Sequence, residues 1–177
     1  MRRKESAGVA ISAGVGVFIV IIIAAAGVGG FLVLKGGGGG GSTATSGNVS
    51  TATSLSFNVD GTYQSQSLTS TVKMKNIGQS TAKLRMDMTV AGTTSSVIVD
   101  SGASKTWMWT AETGWQDMSS YISPETYTAM TQTYTTQLAG WTGTGEYTYT
   151  DPTTGSTVRI YNIQVNPSIP DSEFQPS

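Results

Sequence analysis

An apolar run near the start of the chain constrains its fold more than any other feature of the sequence. Residues 7–34 contain no charged side chain. As an α-helix they would extend roughly 42 Å, which exceeds the bilayer's hydrocarbon core of about 30 Å. We interpret 7–34 as a transmembrane signal-anchor helix. The alternatives are a cleavable signal peptide, cut near Ala24–Ala26, and a buried core helix.

The charges that flank this run indicate its orientation. Arg2, Arg3 and Lys4 precede it, whereas Lys35 alone follows it directly. Positive residues are retained on the cytoplasmic side of a membrane. We therefore expect residues 1–6 to be a cytoplasmic N-terminus and everything after the span to lie outside. The chain is predicted to be a single-pass protein of the cell membrane, with the lipid bilayer as a partner.

A linker is predicted to follow the span. Residues 35–53 are rich in Gly, Ser and Thr and include six consecutive glycines, Gly36–Gly41. Such a segment behaves as a flexible tether. It contains Asn48-Val-Ser50, an N-x-[ST] motif, so Asn48 is a glycosylation candidate. Residues 54–177 remain as the extracytoplasmic domain.

The composition excludes several classes of function. The chain has no His and no Cys, which rules out zinc fingers, thiolate clusters and a Ser-His-Asp triad. Residues 42–177 carry ten acidic and six basic side chains, a net charge of −4. We therefore expect no nucleic-acid surface.

The sequence contains no strong catalytic motif. Ser70–Lys73 and Ser80–Lys83 match S-x-x-K, but both lie in strand or turn sequence, where residues three apart face opposite sides. No calcium-loop motif is present. We predict that the protein is not an enzyme and has no catalytic residue, no metal ligand and no cofactor.

Most of the outer domain alternates with period two, which is typical of strands with one buried face. The clearest strand is Ala82–Val90, where four apolar residues alternate with charged and polar ones. Further strands are predicted over Ser95–Asp100, Lys105–Thr110, Glu146–Thr150 and Thr157–Val165. Trp107 and Trp109 share a face by parity.

One segment has helical spacing instead. Ser123-Pro124-Glu125 is typical of a helix start, and Gly140 of a helix end. Between them, apolar residues recur at spacings of three and four: Tyr127, Met130, Tyr134 and Leu138. We therefore predict an α+β fold, in which an antiparallel sheet packs with one amphipathic helix and has one covered face.

The order of these elements resembles the LolA/LppX-like lipoprotein-carrier superfamily. The resemblance covers roughly residues 54–175. It rests on Lys83-x-Arg85-x-Asp87-Met88, on Trp107-Met-Trp109, and above all on the ending Asn166-Pro-Ser-Ile-Pro-Asp-Ser-Glu-Phe174, which is similar to the family's closing N-x-x-I-P-D-S-x-F stretch.

The resemblance implies a strongly curved antiparallel half-barrel, closed by helical segments over an apolar cavity that holds acyl chains. This chain departs from the family in two ways. Its domain is shorter than the bacterial carriers, and it lacks the lipidated cysteine that anchors LppX-like members. A transmembrane helix in place of that anchor is compatible with an archaeal or Gram-positive-type envelope.

A ligand cavity, if present, is expected between the sheet and the helix. Thioethers adapt to irregular apolar ligands, and tryptophan supplies a large contact area. The alternative is ordinary core packing, because a domain of this size needs most of its apolar residues for a core. The candidate lining residues are Leu84, Met86, Met88, Val90, Trp107, Trp109, Tyr127, Met130 and Tyr134.

The predicted function is binding of a lipid, a lipidated protein or another apolar ligand at the membrane surface. Two alternatives remain open. One is a structural subunit of a cell-surface filament, since an apolar N-terminal helix before a Ser/Thr-rich β domain is also the plan of pilins. The other is a partner-binding surface protein with a filled core. The sequence does not indicate an oligomeric state.

Overall fold

The computed structural model describes residues 49–63, 66–123, 138–150 and 157–177. Within these ranges two short 3-10 turns, η1 (Val49–Thr51) and η2 (Asp171–Phe174), lie near the two ends. Between them are eight strands: β1 (Ser54–Tyr63), β2 (Gln66–Lys75), β3 (Lys83–Val90), β4 (Thr93–Asp100), β5 (Lys105–Thr110), β6 (Gly114–Asp117), β7 (Tyr147–Thr150) and β8 (Thr157–Val165).

The strands form one antiparallel sheet in the order β6-β5-β4-β3-β2-β1-β8-β7. β1 to β6 follow one another as a meander. The chain then returns so that β8 pairs with the other side of β1, which brings Leu55 opposite Val165. The edge strands β6 and β7 have only four residues each. Short edges limit pairing between the sheets of different molecules.

Side-chain alternation follows the sequence pattern. In β3 the burial alternates along the whole strand, with Lys83 half-buried and Leu84 buried. The strands predicted over Ala82–Val90, Lys105–Thr110 and Thr157–Val165 are confirmed as β3, β5 and β8. Trp107 and Trp109 do share a face. We call the face with Leu84 the inner face, and the face with Lys83 the outer face.

A β-bulge keeps the alternation in phase where β8 joins β1. The register shifts between Ser56 and Asn58, and Asn162 on β8 has a φ of 54°. Asparagine tolerates this left-handed conformation better than most residues. The extra residue allows both Ile160 and Ile163, three positions apart, to be buried in the same cluster.

The hydrophobic core lies on the inner face. Its residues from β1 to β5 and β8 form one cluster in which Leu84, Met86 and Met88 are at most 2% exposed. Residues beyond the strands also pack into it: Val49, Ala52, Met118, Leu138 and Trp141. The folded part of the chain therefore includes residues of the segment 35–53 that we predicted to be linker.

The predicted α+β class is wrong for the described part of the chain, which is an antiparallel sheet with no α-helical element among its eight strands and two 3-10 turns. The helix rested on four spaced apolar residues in a threonine-rich segment. Residues 124–137 of that segment lie outside the described residues. The prediction of one covered face also differs from the structure, because Ile169 and Phe174 pack against Ile98 on the outer face.

Two hydroxyls are buried on the inner face without a partner. Ser70 Oγ and Thr106 Oγ1 make no hydrogen bond within the described ranges. Thr106 is fully buried on β5, whereas Thr110, on the same strand and face, hydrogen-bonds Thr113 through its Oγ1 at 2.9 Å. A buried hydroxyl without a partner reduces stability because it has lost its hydrogen bonds to water.

This contrast gives a matched pair of variants. We expect Thr106→Val to raise the free energy of unfolding by about 1 kcal/mol, because it removes an unpaired polar atom at nearly constant shape. Thr110→Val should lower it by about 0.5–1.5 kcal/mol, because it breaks a made bond. Urea unfolding of the full chain in detergent, followed by tryptophan fluorescence, measures both. Equal losses would show that Thr106 Oγ1 does have a partner.

Candidate functional site on the outer face of the sheet

The register aligns one row of side chains across the outer face. Each residue of this row pairs directly with the next one on the neighbouring strand, so the row crosses seven strands. Polar residues occupy its middle and aromatic residues its ends. We call it the polar row: Tyr161, Asn58, Thr71, Asp87, Ser96, Trp109 and Trp115.

The end of the chain covers one part of the outer face. We call residues 167–177 the C-terminal strap. Asn166 directly precedes the strap, and its Oδ1 accepts a hydrogen bond from the Thr53 backbone N–H at 2.8 Å. Ser54 Oγ donates to the Pro167 carbonyl at 2.8 Å. These bonds direct the chain away from β8 and across the sheet.

Ion pairs attach the strap to lysines of β2 and β3. Lys73 Nζ lies 2.8 Å from Glu173 Oε2. Lys75 Nζ lies 3.2 Å from Asp171 Oδ1, and Lys83 Nζ lies 3.6 Å from the same atom. Since all these groups are partly exposed, each pair contributes little stability by itself. Their effect is to set the position of the strap over the sheet.

The charges shift pKa values in the expected directions. The pKa of Asp171 is lowered, first by the hydrogen bond from Lys75 and then by its charge and that of Lys83. The pKa of Lys83 is raised, chiefly by its hydrogen bond to Asp100, although partial burial opposes this. Both groups are therefore held in their charged forms.

Apolar contacts hold the strap more firmly. Phe174 is 1% exposed and forms a cluster with Ile98 and Ile169, against which Trp107 and Trp115 pack. Beyond it, Trp115 Nε1 donates a hydrogen bond to the Ser177 backbone carbonyl at 3.0 Å. The burial of one large aromatic ring is worth more than the exposed ion pairs together.

The strap leaves a recess open at the other end of the polar row. We call this the outer recess; its volume is about 390 Å³. Ser70 and Met88 contribute to it, but strand alternation directs their side chains to the inner face. The other lining residues are all polar and lie on the outer face: Asn58, Thr69, Thr71, Asp87, Thr89, Thr94 and Tyr161.

Hydrogen bonds fix the side chains on one side of the recess. Thr71 Oγ1 donates to Asn58 Oδ1 at 3.2 Å, and Asn58 hydrogen-bonds the Tyr161 hydroxyl. The Tyr161 hydroxyl in turn donates to Asp60 Oδ1 at 3.2 Å. Arg159 lies over the Tyr161 ring, 4.4 Å from its centroid. The pKa of Tyr161 is raised, mainly by burial and then by Asp60, which keeps the phenol protonated.

Asp87 links the recess to the strap. Its Oδ1 accepts a hydrogen bond from Ser96 Oγ at 2.6 Å, and its Oδ2 accepts one from Arg85 Nε at 2.9 Å. Arg85 also donates through Nη1 to the Glu173 carbonyl of the strap at 3.1 Å. The same guanidinium therefore positions the carboxylate of the recess and contacts the strap.

The predicted cavity residues do not lie on one surface. Leu84, Met86, Met88 and Val90 are together in the inner core, each at most 5% exposed. Trp107 and Trp109 lie on the opposite, outer face, because the register pairs them with Ile98 and Ser96 of β4, whose side chains are on that face. Four further predicted sites lie outside the described residues: Asn48, Tyr127, Met130 and Tyr134.

No sequence motif predicts the outer recess. Its residues are common polar types from five strands, and no motif joins them. A signal was present in the alternation of Ala82–Val90, which places Asp87 and Thr89 opposite the core. The partners of those two residues, Thr71 and Thr94 among them, follow only from the register.

Comparison with known proteins gives no relative: no protein-family model, no curated protein and no solved structure matches the chain. The resemblance to the LolA/LppX-like carriers therefore stays a prediction. Among the described residues, no helix has the length and apolarity needed to cross a membrane. The span predicted over 7–34 lies outside them.

The strap contacts predict unequal losses of stability. Phe174→Ala should lower the free energy of unfolding by about 3–5 kcal/mol, because it empties a fully buried aromatic site. Glu173→Gln should lower it by less than about 1 kcal/mol, since the Lys73 and Glu173 side chains are 28% and 35% exposed. Denaturant unfolding of the full chain measures both. A loss below 1 kcal/mol for Phe174→Ala would show that the strap is not an integral part of the fold.

Proposed function

We propose that this protein is a membrane-tethered binding domain, displayed outside the cell, that engages a partner through the outer recess. The observation that carries the proposal is the recess itself, an open polar site on the outer face. It lies in the interior of a sheet whose strands hold each side chain in place. Sites on rigid elements are more precisely ordered than sites on loops.

The inner face supports this choice. Leu84, Met86 and Met88, which we predicted to line a ligand cavity, are at most 2% exposed and belong to one continuous hydrophobic cluster. A cluster packed in this way has the character of a core rather than of an empty site. The proposal therefore corresponds to the partner-binding protein with a filled core.

The arrangement suits binding rather than catalysis. Asp87 is the one carboxylate among the residues that line the recess, and Arg85 and Ser96 both donate hydrogen bonds to it. The nearby Asp60 carboxylate already accepts hydrogen bonds from the Tyr161 hydroxyl and the Arg159 guanidinium. The remaining lone pairs of these carboxylates can accept hydrogen bonds from a ligand. The part of the predicted linker that precedes the folded residues, 35–48, would act as a tether and let the recess search a volume near the membrane.

Site-specific photo-crosslinking in cells tests the proposal. The photo-reactive variant Thr89→p-benzoylphenylalanine places the probe in the recess. Thr148→p-benzoylphenylalanine is the control, at an exposed position on the edge strand β7. Benzophenone inserts into C–H bonds of any partner class. We expect adducts of the full-length chain from Thr89 and not from Thr148. Equal yields at both positions, or no adduct at Thr89, would contradict a partner site in the recess.

Binding of an apolar ligand on the inner face is the second candidate. The observation that favours it is the methionine content of the core: Met74, Met86, Met88, Met108 and Met118 are all in the inner cluster. Methionine side chains adapt to irregular ligands, and a core built from them can open more easily than one built from branched residues.

Overpacking the core separates the two candidates. Val72 is fully buried between Phe57 and Met86. With a filled core, Val72→Phe should lower the free energy of unfolding by about 1–3 kcal/mol, while Thr62→Phe at an exposed position should change it little. Native mass spectrometry of the detergent-solubilised chain then shows no lipid. A lipid adduct that Val72→Phe removes, without loss of stability, would favour the second candidate.

A further inference from the structure

We propose that the outer recess is a binding site for an uncharged carbohydrate. The inference rests on the proposed function, because it names the chemistry of the partner at the same site. It is drawn from three properties of the recess: the donors and acceptors of its lining, the charge around it, and its place within the sheet.

The lining can both donate and accept hydrogen bonds at short intervals. Thr89 and Thr94 share one bond at 3.2 Å, which leaves a hydroxyl hydrogen and several lone pairs to face a ligand. Asp87 Oδ2 accepts from Arg85 and has further acceptor capacity. Thr69 adds another exposed hydroxyl. Sugar hydroxyls likewise donate and accept at once, so they match a lining of threonine, amide and carboxylate groups.

The charge around the recess disfavours anionic ligands. Asp87 is neutralised by Arg85. At the Tyr161 end, Arg159 lies 3.4 Å from Asp60 and 2.7 Å from Glu146, so two carboxylates share one guanidinium. The local net charge is therefore −1 by this count. Phosphate, sulfate and acidic sugars would be repelled, whereas a neutral polyol would meet no electrostatic penalty.

The place of the recess within the sheet disfavours a peptide partner. A peptide commonly binds by adding a strand to a free edge, or by inserting apolar side chains into a groove. The recess lies on β1, β2, β3, β4 and β8, all of which have a paired neighbour on both sides. No apolar side chain lines its outer side, apart from the ring of Tyr161. Its volume of about 390 Å³ is within the range of small-molecule sites, roughly 300–1,000 Å³.

Calorimetric titration of the full-length chain in detergent tests this inference. The probes are neutral oligosaccharides of glucose, mannose, galactose and N-acetylglucosamine, together with sulfated forms of the same sugars. We expect saturable binding of at least one neutral oligosaccharide and weaker binding of its sulfated form. Asp87→Asn should weaken the affinity about tenfold, because it replaces a charged acceptor, and Thr89→Val by a few-fold.

Thr148→Val is the matched control, because Thr148 lies on β7 outside the recess. It should bind the oligosaccharide as the unmodified chain does, and all three variants should still unfold in a single cooperative transition, which shows that they are folded. The inference is overturned if no neutral oligosaccharide binds, or if Asp87→Asn and Thr89→Val bind as tightly as Thr148→Val.

The crosslinking experiment separates this failure from failure of the proposed function. A protein or peptide adduct at Thr89, with no oligosaccharide binding, would keep the recess as a partner site and reject the carbohydrate. Absence of both adduct and binding would reject the site. A sugar adduct at Thr89 would support both.

Discussion

The register between strands is the constraint on which the rest of this structure depends. Each strand places alternate residues on opposite faces, so a slip of one position would exchange core and surface. The bulge at Asn162 preserves this separation of core and surface: it adds one residue to β8 and thereby buries both Ile160 and Ile163. The same register that assembles the inner core aligns Asn58, Thr71 and Asp87 on the outer face.

The C-terminal strap divides the outer face into two regions. One is covered, where Phe174 fills an apolar site beside Ile98. The other is the outer recess, where the polar row meets solvent. Arg85 lies between them, since it bonds both the strap carbonyl of Glu173 and the carboxylate of Asp87. Through this contact, loss of the strap would be expected to disturb the recess as well as the stability of the sheet.

Local patterns predicted individual strands well and assembly poorly. The alternation of Ala82–Val90 was sufficient to predict β3 and the burial of Leu84 and Met88, because strict alternation of apolar and polar residues is compatible with few structures other than a half-buried strand. The assignment of Trp107 to the cavity failed for a physical reason: parity within one strand does not say which face a neighbouring strand presents. The predicted α+β class is wrong for the described residues, which form one antiparallel sheet; residues 124–137, most of the segment on which the helix prediction rested, lie outside them.

The sequence by itself determined the charge balance, the absence of His and Cys, the period-two segments and the apolar run at 7–34. These are properties of composition and of neighbours along the chain. The tertiary structure alone decided that β8 pairs with β1, that the strap crosses the outer face, and that Asn58, Asp87 and Tyr161 line one recess. Such contacts join residues as much as 113 positions apart, and they form only where pairing energy across strands outweighs the entropy of closing long loops.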